Sequence, residues 1–400
     1  MANETAALLA DVLRNMSAPL EKTYENATPM LDALGNIETD PIYFTDGNKI
    51  AWPLKLNRRQ GSGTINADGG TLNAAIPMNW DQATIDTTTL HETLGIGGKA
   101  AKAARGGANS WVNIISDGLT DVVESVKWTL DVMSHLNSDS LLASVTSASS
   151  GASTTVTVGT SANFTYLQPG TVVDFLVRSS GATFSLARKI ESVDEAAGTI
   201  VVDSAIDTLT THGLYFQGSW DNPMQGLKTA AATTGATAFE GIIKNNVPAW
   251  RGIDKSPTSA DHLTEARLDS LERAMLIDVP HIYMGDPAVL DDYKHSFGAQ
   301  AQWAGGTDTL ATGWEYTTYH GKRLIYDKHA ELGAVYRIPT NGDIKYVSRD
   351  KGPHWIDDDG SMWRHTARTL DKEAWYVWDI QLCFKRCNVI GRIGNLTRAE

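Results

Sequence analysis

NSWVNIISDGLTDVVESVKWTLDVMSHLN, residues 109–137, is the longest periodic stretch of this 400-residue chain. Its apolar residues Trp111, Ile115, Leu119, Val122, Val126, Leu130 and Met133 recur at spacings of 4, 4, 3, 4, 4 and 3. That is the repeat of one face of an α-helix. At ~1.5 Å per residue the helix is a rod ~43 Å long, where an average globular helix has about 11–12 residues. Asn109 or Ser110 can cap its first turn. No partner helix follows closely, so the rod reads as a spine lying across a sheet.

Upstream, residues 4–16 place Leu8, Leu9, Val12, Leu13 and Met16 on one helical stripe. A short amphipathic helix there docks either on its own domain or on a neighbouring subunit. Residues 41–57 read as extended, with Ile50, Trp52, Leu54 and Leu56 alternating with Ala51, Pro53 and Lys55. Pro53 cannot donate to a sheet ladder, which predicts an edge or an isolated ribbon. A loop rich in Gly and Asn follows from Asn57 to Gly70, then a second extended run with Ile76, Met78 and Trp80 on one face. Together they predict a long hairpin whose tip carries Lys55, Arg58 and Arg59. A two-stranded ribbon is marginal alone in water, so a neighbouring subunit is a plausible support. Residues 91–108 are rich in Gly, Ala and Lys and read as a flexible connection; they hold no phosphate-loop GxxxxGK[ST].

Downstream of the rod the composition shifts. Residues 144–218 carry nine charged side chains in seventy-five, no Trp, Cys or Met, and short β-branched runs at 154–158, 171–177 and 199–203. Turn signals at Gln168-Pro-Gly170 and Ala197-Gly198 separate them. This predicts a small β-barrel or sandwich inserted into a larger domain. Beyond it lie predicted helices at 263–276 and 287–295, strands at 322–326 and 334–338, and a turn at 340–343. A long, largely buried strand is predicted at 374–384, where Ala374, Tyr376, Trp378, Ile380, Leu382 and Phe384 keep a period of two.

The composition, 42% apolar with twelve Trp and twelve Tyr, is that of a folded chain, and 400 residues predict two or three domains. A net charge of −13 argues against gripping nucleic acid along a basic face. It is compatible with a wall that encloses it. Cys383 and Cys387 are predicted to be free thiols in a reducing compartment. The N-terminus lacks the basic start and apolar run of a secretory signal, and no stretch approaches ~20 apolar residues, so no membrane span is expected.

The order of these parts resembles the major capsid proteins of tailed bacteriophages, the Hong Kong 97-type fold. Local phrases are similar too: Asp221-Asn-Pro-Met-Gln-Gly-Leu227, Phe239-Glu-Gly-Ile242, Pro248-Ala-Trp-Arg251, Tyr283-Met-Gly-Asp-Pro287 and Gly321-Lys-Arg-Leu-Ile-Tyr-Asp327. The resemblance implies an α+β chain: an N-terminal arm (1–40), an extended loop (41–105) and a peripheral domain with the spine helix (106–143). The inserted β domain (144–218), an axial domain (219–330) and a return to the peripheral domain (331–400) follow. It implies self-assembly through hexamers and pentamers into an icosahedral shell around double-stranded DNA, a virion location, and synthesis in the host cytoplasm. It also implies a portal, a separate scaffolding protein and, in some members, a cement or decoration protein. No cofactor, metal or membrane is expected. Leu9, Leu13, Lys55, Arg58 and Arg59 are the expected inter-subunit contacts. Some members form a Lys–Asn isopeptide bond; Lys55 is the one tempting candidate, against an ordinary charge contact with a neighbour.

Enzyme signatures are weak. Asp357-Asp-Asp-Gly360 lacks EF-hand spacing, the histidines form no HExxH, and no GxSxG occurs. The expectation is a structural protein, not an enzyme. Alternatives are a phage tail or surface adhesin that binds glycan through residues 144–218, which offers Phe164, Tyr166, Phe175, Phe184, Tyr215 and Phe216, or a hydrolase.

Overall fold

The computed structural model describes residues 28–35, 37–38, 44–45, 49–57, 64, 74, 77–97, 108–220, 224–296, 308–309, 315–349, 352–357, 361–365, 369 and 371–398, without the side chains of 44–45, 108–117, 150–152, 296, 308–309 and 315–317. The chain divides into two units. One comprises Met1–Thr39, Thr88–Met224 and Val347–Gln381; the other comprises Asp40–Thr87, Gln225–Tyr346 and Leu382–Glu400.

In the first unit the rod runs Ala108–His135, 28 residues. Val122, Val126, Leu130 and Met133 of the predicted stripe are buried. From Leu130 to Leu136 every side chain is buried, polar ones included. Asp131 is inside because its Oδ1 accepts the backbone N–H groups of Met30 and Leu31, 3.1 Å each. Those donors open the helix Pro29–Leu34 and have no partner within it. The rod packs on the strand Thr88–Ile96. Gly118 faces that strand, where a Cβ would stand 3.2 Å from Leu94 Cδ1. A mid-helix glycine costs about 1 kcal/mol against alanine; here it permits the close approach.

Thr88–Ile96 pairs antiparallel with the strand Lys372–Phe384, from Thr88↔Ile380 to Ile96↔Lys372. Residues 91–96 are therefore strand and not loose connection. Their glycine masks a partner-dependent strand that has little local signal. Along 372–384 the period of two holds, with Ala374, Tyr376, Trp378 and Ile380 buried. The polar members are satisfied inside: Trp378 Nε1 donates to Ser348 Oγ at 3.2 Å, and Gln381 Nε2 to Thr88 Oγ1 at 3.2 Å.

The β-branched, weakly charged region forms one six-stranded sheet. Its spatial order is Leu141–Ser144, His212–Phe216, Val172–Val177, Thr183–Asp194, Thr199–Thr208 and Ser149–Thr157. All neighbours are antiparallel. Register shifts within four of the five pairings mark bulges, which bend strands. The strands 183–194 and 212–216 were not among the predicted runs. The former exposes most of its residues and so lacks a sustained apolar alternation. The sheet's first and last strands in chain order lie side by side, with Gly213 opposite Ser144. Trp128 of the rod meets Phe216 edge to face, ring centroids 5.8 Å apart.

The second unit centres on a seven-stranded mixed sheet. Its order is Ile253–Asp254, Gly391–Ile393, Val335–Pro339, His281–Gly285, Lys322–Tyr326, Glu315–Tyr319 and Asp308–Thr309. Helices Glu265–Ala274 and Pro287–Ser296 contribute Leu268, Leu271, Val289 and Leu290 to a core shared with Tyr283 and Leu324. Proline stands at the first helical position of 287–296, and Asp286 Oδ1 accepts the Ala288 N–H at 3.1 Å. Cys383 and Cys387 are buried and unbridged; the strand ends at Phe384 and Cys387 opens the 3-10 turn Cys387–Val389.

The ribbon belongs to this unit. Lys49–Lys55 pairs antiparallel with Trp80–Asp86, from Lys49↔Asp86 to Lys55↔Trp80. The two-residue strand Phe44–Thr45 flanks it, which places 49–55 in the middle of three strands. That differs from the edge or isolated ribbon predicted from Pro53. Among the described residues the short strand pairs at Ile50 and Lys49, and none pairs with Pro53 on that side.

Candidate assembly elements

The ribbon is buried at its root and exposed at its far end. Ile50 and Ala83 have no exposure, and Trp52, Leu54 and Ile85 are buried. The last pair, Lys55 opposite Trp80, is exposed, with Trp80 62% open to solvent. Just beyond it Leu56 N donates to Asn79 O at 3.1 Å, and Asn79 N to Asn57 Oδ1 at 2.7 Å, so the two strands stay paired past Trp80. A tryptophan held open on a paired backbone is a ready anchor for another surface, since interface hot spots are rich in Trp.

Of the predicted contact residues, Lys55 is exposed at this end of the ribbon. Leu9, Leu13, Arg58 and Arg59 lie outside the described residues, as does the predicted helix 4–16. Trp80 was read only as part of an apolar face. Its exposure follows from the register that sets it opposite Lys55, which a single strand's pattern does not disclose.

The root of the ribbon is seated on a small hairpin, Ala238–Phe239 with Ile242–Ile243. Thr84 N donates to Glu240 O at 2.9 Å. Gly241, at φ +80°, brings the hairpin turn against Thr84, where a Cβ would fall 2.9 Å from its Oγ1. Only glycine fits that turn without strain.

Three charge networks fix the second unit. Arg392 grips Glu331 with Nε and a terminal nitrogen, 2.9 Å each, and reaches Asp254 at 2.8 Å. Lys228 Nζ adds a contact to Glu331 at 2.8 Å. Burial alone would raise the Glu331 carboxyl; Arg392 and Lys228 bring it down to about 2. Arg337, wholly buried, donates to Glu272 Oε1 at 3.1 Å and to Val389 O at 2.8 Å. Burial would raise Glu272 as well, yet hydrogen bonds from His281 and Tyr283 and the charge of Arg337 hold it at about 2. Glu272, Asp278 and His281 stand close enough to ligate a cation. The Arg337 guanidinium on Glu272 already supplies the positive charge there, so the trio reads as a structural ion network. In the third, Arg386 meets Asp343 through two nitrogens, at 2.8 and 2.5 Å.

Five of the six aromatics that a glycan platform on residues 144–218 would use are buried, Phe164 and Tyr166 in a 3-10 turn and Phe175, Tyr215 and Phe216 in the sheet; Phe184 alone is 41% exposed. It lies on the His212 ring at 4.3 Å.

No protein-family model matches the sequence, and no curated protein does. Solved structures do. A chain of the cyanophage A-1(L) capsid asymmetric unit is similar over 95% of this chain and 96% of its own, with a TM-score of 0.57 and 12% identity. The holo-SrpI encapsulin complex from Synechococcus elongatus is similar over 100% and 99%, with a TM-score of 0.51 and 9% identity. The rod, the ribbon, the mixed sheet and the long strand 372–384 are thus parts of a fold shared with these two chains. It is the Hong Kong 97-type capsid fold, α+β and mostly sheet.

Proposed function

We propose that this chain is a shell-forming structural protein, the major capsid protein of a tailed phage. The observation that carries the reading is likeness along essentially the whole length, to a phage capsid chain and to an encapsulin chain alike. One sequence closes a shell by repeating modest contacts, since a specific interface buries ~1,600 Å² and symmetry multiplies it. In this reading the chain forms hexamers and pentamers around double-stranded DNA in the virion. A portal and a scaffolding protein guide assembly, and a cement protein is an optional addition. The net charge of −13 fits a wall that encloses DNA without gripping it. Residues 144–218 act as an inserted domain; the side-by-side pairing of the sheet's first and last strands supports this. The ribbon and the arm reach neighbouring copies, through Trp80 and Lys55 and through Leu9, Leu13, Arg58 and Arg59. The role is structural, without catalysis.

The test is electron microscopy and light scattering of the purified full chain across concentration. Closed shells or rings of five and six subunits are expected. A monomer at every concentration overturns the proposal. Trp80→Ala, and separately deletion of residues 58–70, are expected to leave a folded subunit that assembles poorly. Wild-type shells from both variants would remove the ribbon's part in assembly.

A further inference from the structure

Glu240 occupies a position with unusual demands. Its side chain is 2% exposed. Its backbone sits at φ +51°, in the left-handed region that non-glycine residues seldom adopt. Three segments meet on it. Its carbonyl receives the Thr84 N–H of the ribbon, and its Oε1 receives the Phe384 N–H at the end of the long strand, each at 2.9 Å. Its other oxygen, Oε2, is buried with no hydrogen-bond partner among the described residues. An ionised carboxylate would leave a full charge beside that bare oxygen, whereas a protonated one leaves only a hydroxyl.

The surroundings do not neutralise it. The titratable groups facing it are Lys244, on the same hairpin, and Cys387, on the 3-10 turn. The ribbon and the long strand bring Thr84 and Phe384, neither of which titrates near neutrality. Lys244 directs its ammonium away, to the carbonyls of Thr229, Ala230 and Ala232 at 2.6, 2.5 and 3.1 Å. Phe239 and Phe384 close the site with rings 5.5 Å apart. Burial pushes the Glu240 carboxyl well above its ordinary 4.5, against the opposing pull of the Phe384 N–H and the Lys244 charge.

We propose that Glu240 is a proton-controlled latch at the root of the ribbon: neutral, it holds the ribbon and the end of the long strand 372–384 to the hairpin; ionised, it loosens both. The direction follows from linkage. A carboxyl raised in the folded state gives stability that is complete below its ordinary 4.5 and is lost as pH rises through the folded value. Ionisation draws water to Oε2, and the backbone that packs the residue in its left-handed turn has to open to admit it. The ribbon's angle at its root then becomes free to change. Under the shell reading, this would let a rise in pH adjust how the ribbon meets a neighbour. The latch itself does not depend on that reading.

Hydrogen exchange on the unassembled full-length subunit tests it, with or without shell formation. After correction for the intrinsic rate, protection at the Thr84 and Phe384 amides is expected to fall at least about tenfold as pH is raised from about 5 to the upper end of the range in which the subunit stays folded. The Val158 amide, bonded to Gly198 O in the other unit, should stay level. In Glu240→Gln both ribbon-root amides should lose this pH dependence and stay protected throughout. A flat wild-type profile, or the same fall in the variant, overturns the latch. Should the variant fail to fold, the wild-type comparison against Val158 decides alone.

Discussion

Arg392 holds Glu331 with two parallel donors, and the consequence is measurable as a pH dependence. Glu331 titrates near 2 in the folded chain against 4.5 ordinarily. A carboxyl lowered by folding stabilises above its unfolded value, and that stability is lost as pH falls from about 4.5 to about 2. Glu331→Gln should therefore cost about 2 kcal/mol at neutral pH. The gap between the urea melts of variant and parent should close toward acid. Asp131 is a second single-residue case. Asp131→Ala strips the acceptor from one buried and one half-buried N–H group and should cost about 2 kcal/mol in the same assay. Neither role was legible in the sequence. A buried polar side chain is defined by partners far along the chain, here 61 and about 100 residues away, and leaves no periodic trace. Glu240 was quoted as part of Phe239-Glu-Gly-Ile242, but nothing in that phrase says that its carboxyl lies inside.

The elements read well where one face supplied the signal. The rod declared itself through its 3–4 spacing and the strand 372–384 through its alternation, because each buries a continuous stripe of its own. Strands 88–96 and 183–194 did not. Each depends on a neighbour's backbone for pairing, and each carries polar or glycine positions that dilute the alternation. Leu130, wholly buried five residues before the rod's last residue, His135, tests the rod's packing. Leu130→Ala should lower stability by about 2–5 kcal/mol, read from thermal melting. Gly118→Val tests the seat of the rod on strand 88–96. A Cβ there already crowds Leu94, and a branched one should lower the melting temperature although valine is the better helix former.

The whole molecule was legible as an order of parts, because composition shifts and long periodic elements survive without knowledge of contacts. What sequence left open is which distant segments pair. Residues 141–220 make the clearest case for independence, as a sheet whose first and last strands are adjacent. That fragment should fold alone and unfold cooperatively in circular dichroism; an unfolded fragment would remove the inserted-domain assignment. The opposite arrangement holds for strand 88–96, whose ladder partner is 372–384. Both lie in one chain, so the first is made long before the second. At roughly 5–20 residues per second, the ribosome delivers that partner on the order of 15 to 60 s later. For that interval an unpaired strand edge waits in a crowded cell, open to the same edge of a sister nascent chain. The vulnerable moment in this protein's life thus falls during translation, and a trigger-factor-like holdase or slow elongation would change the yield of native subunits without touching a single contact in the finished fold.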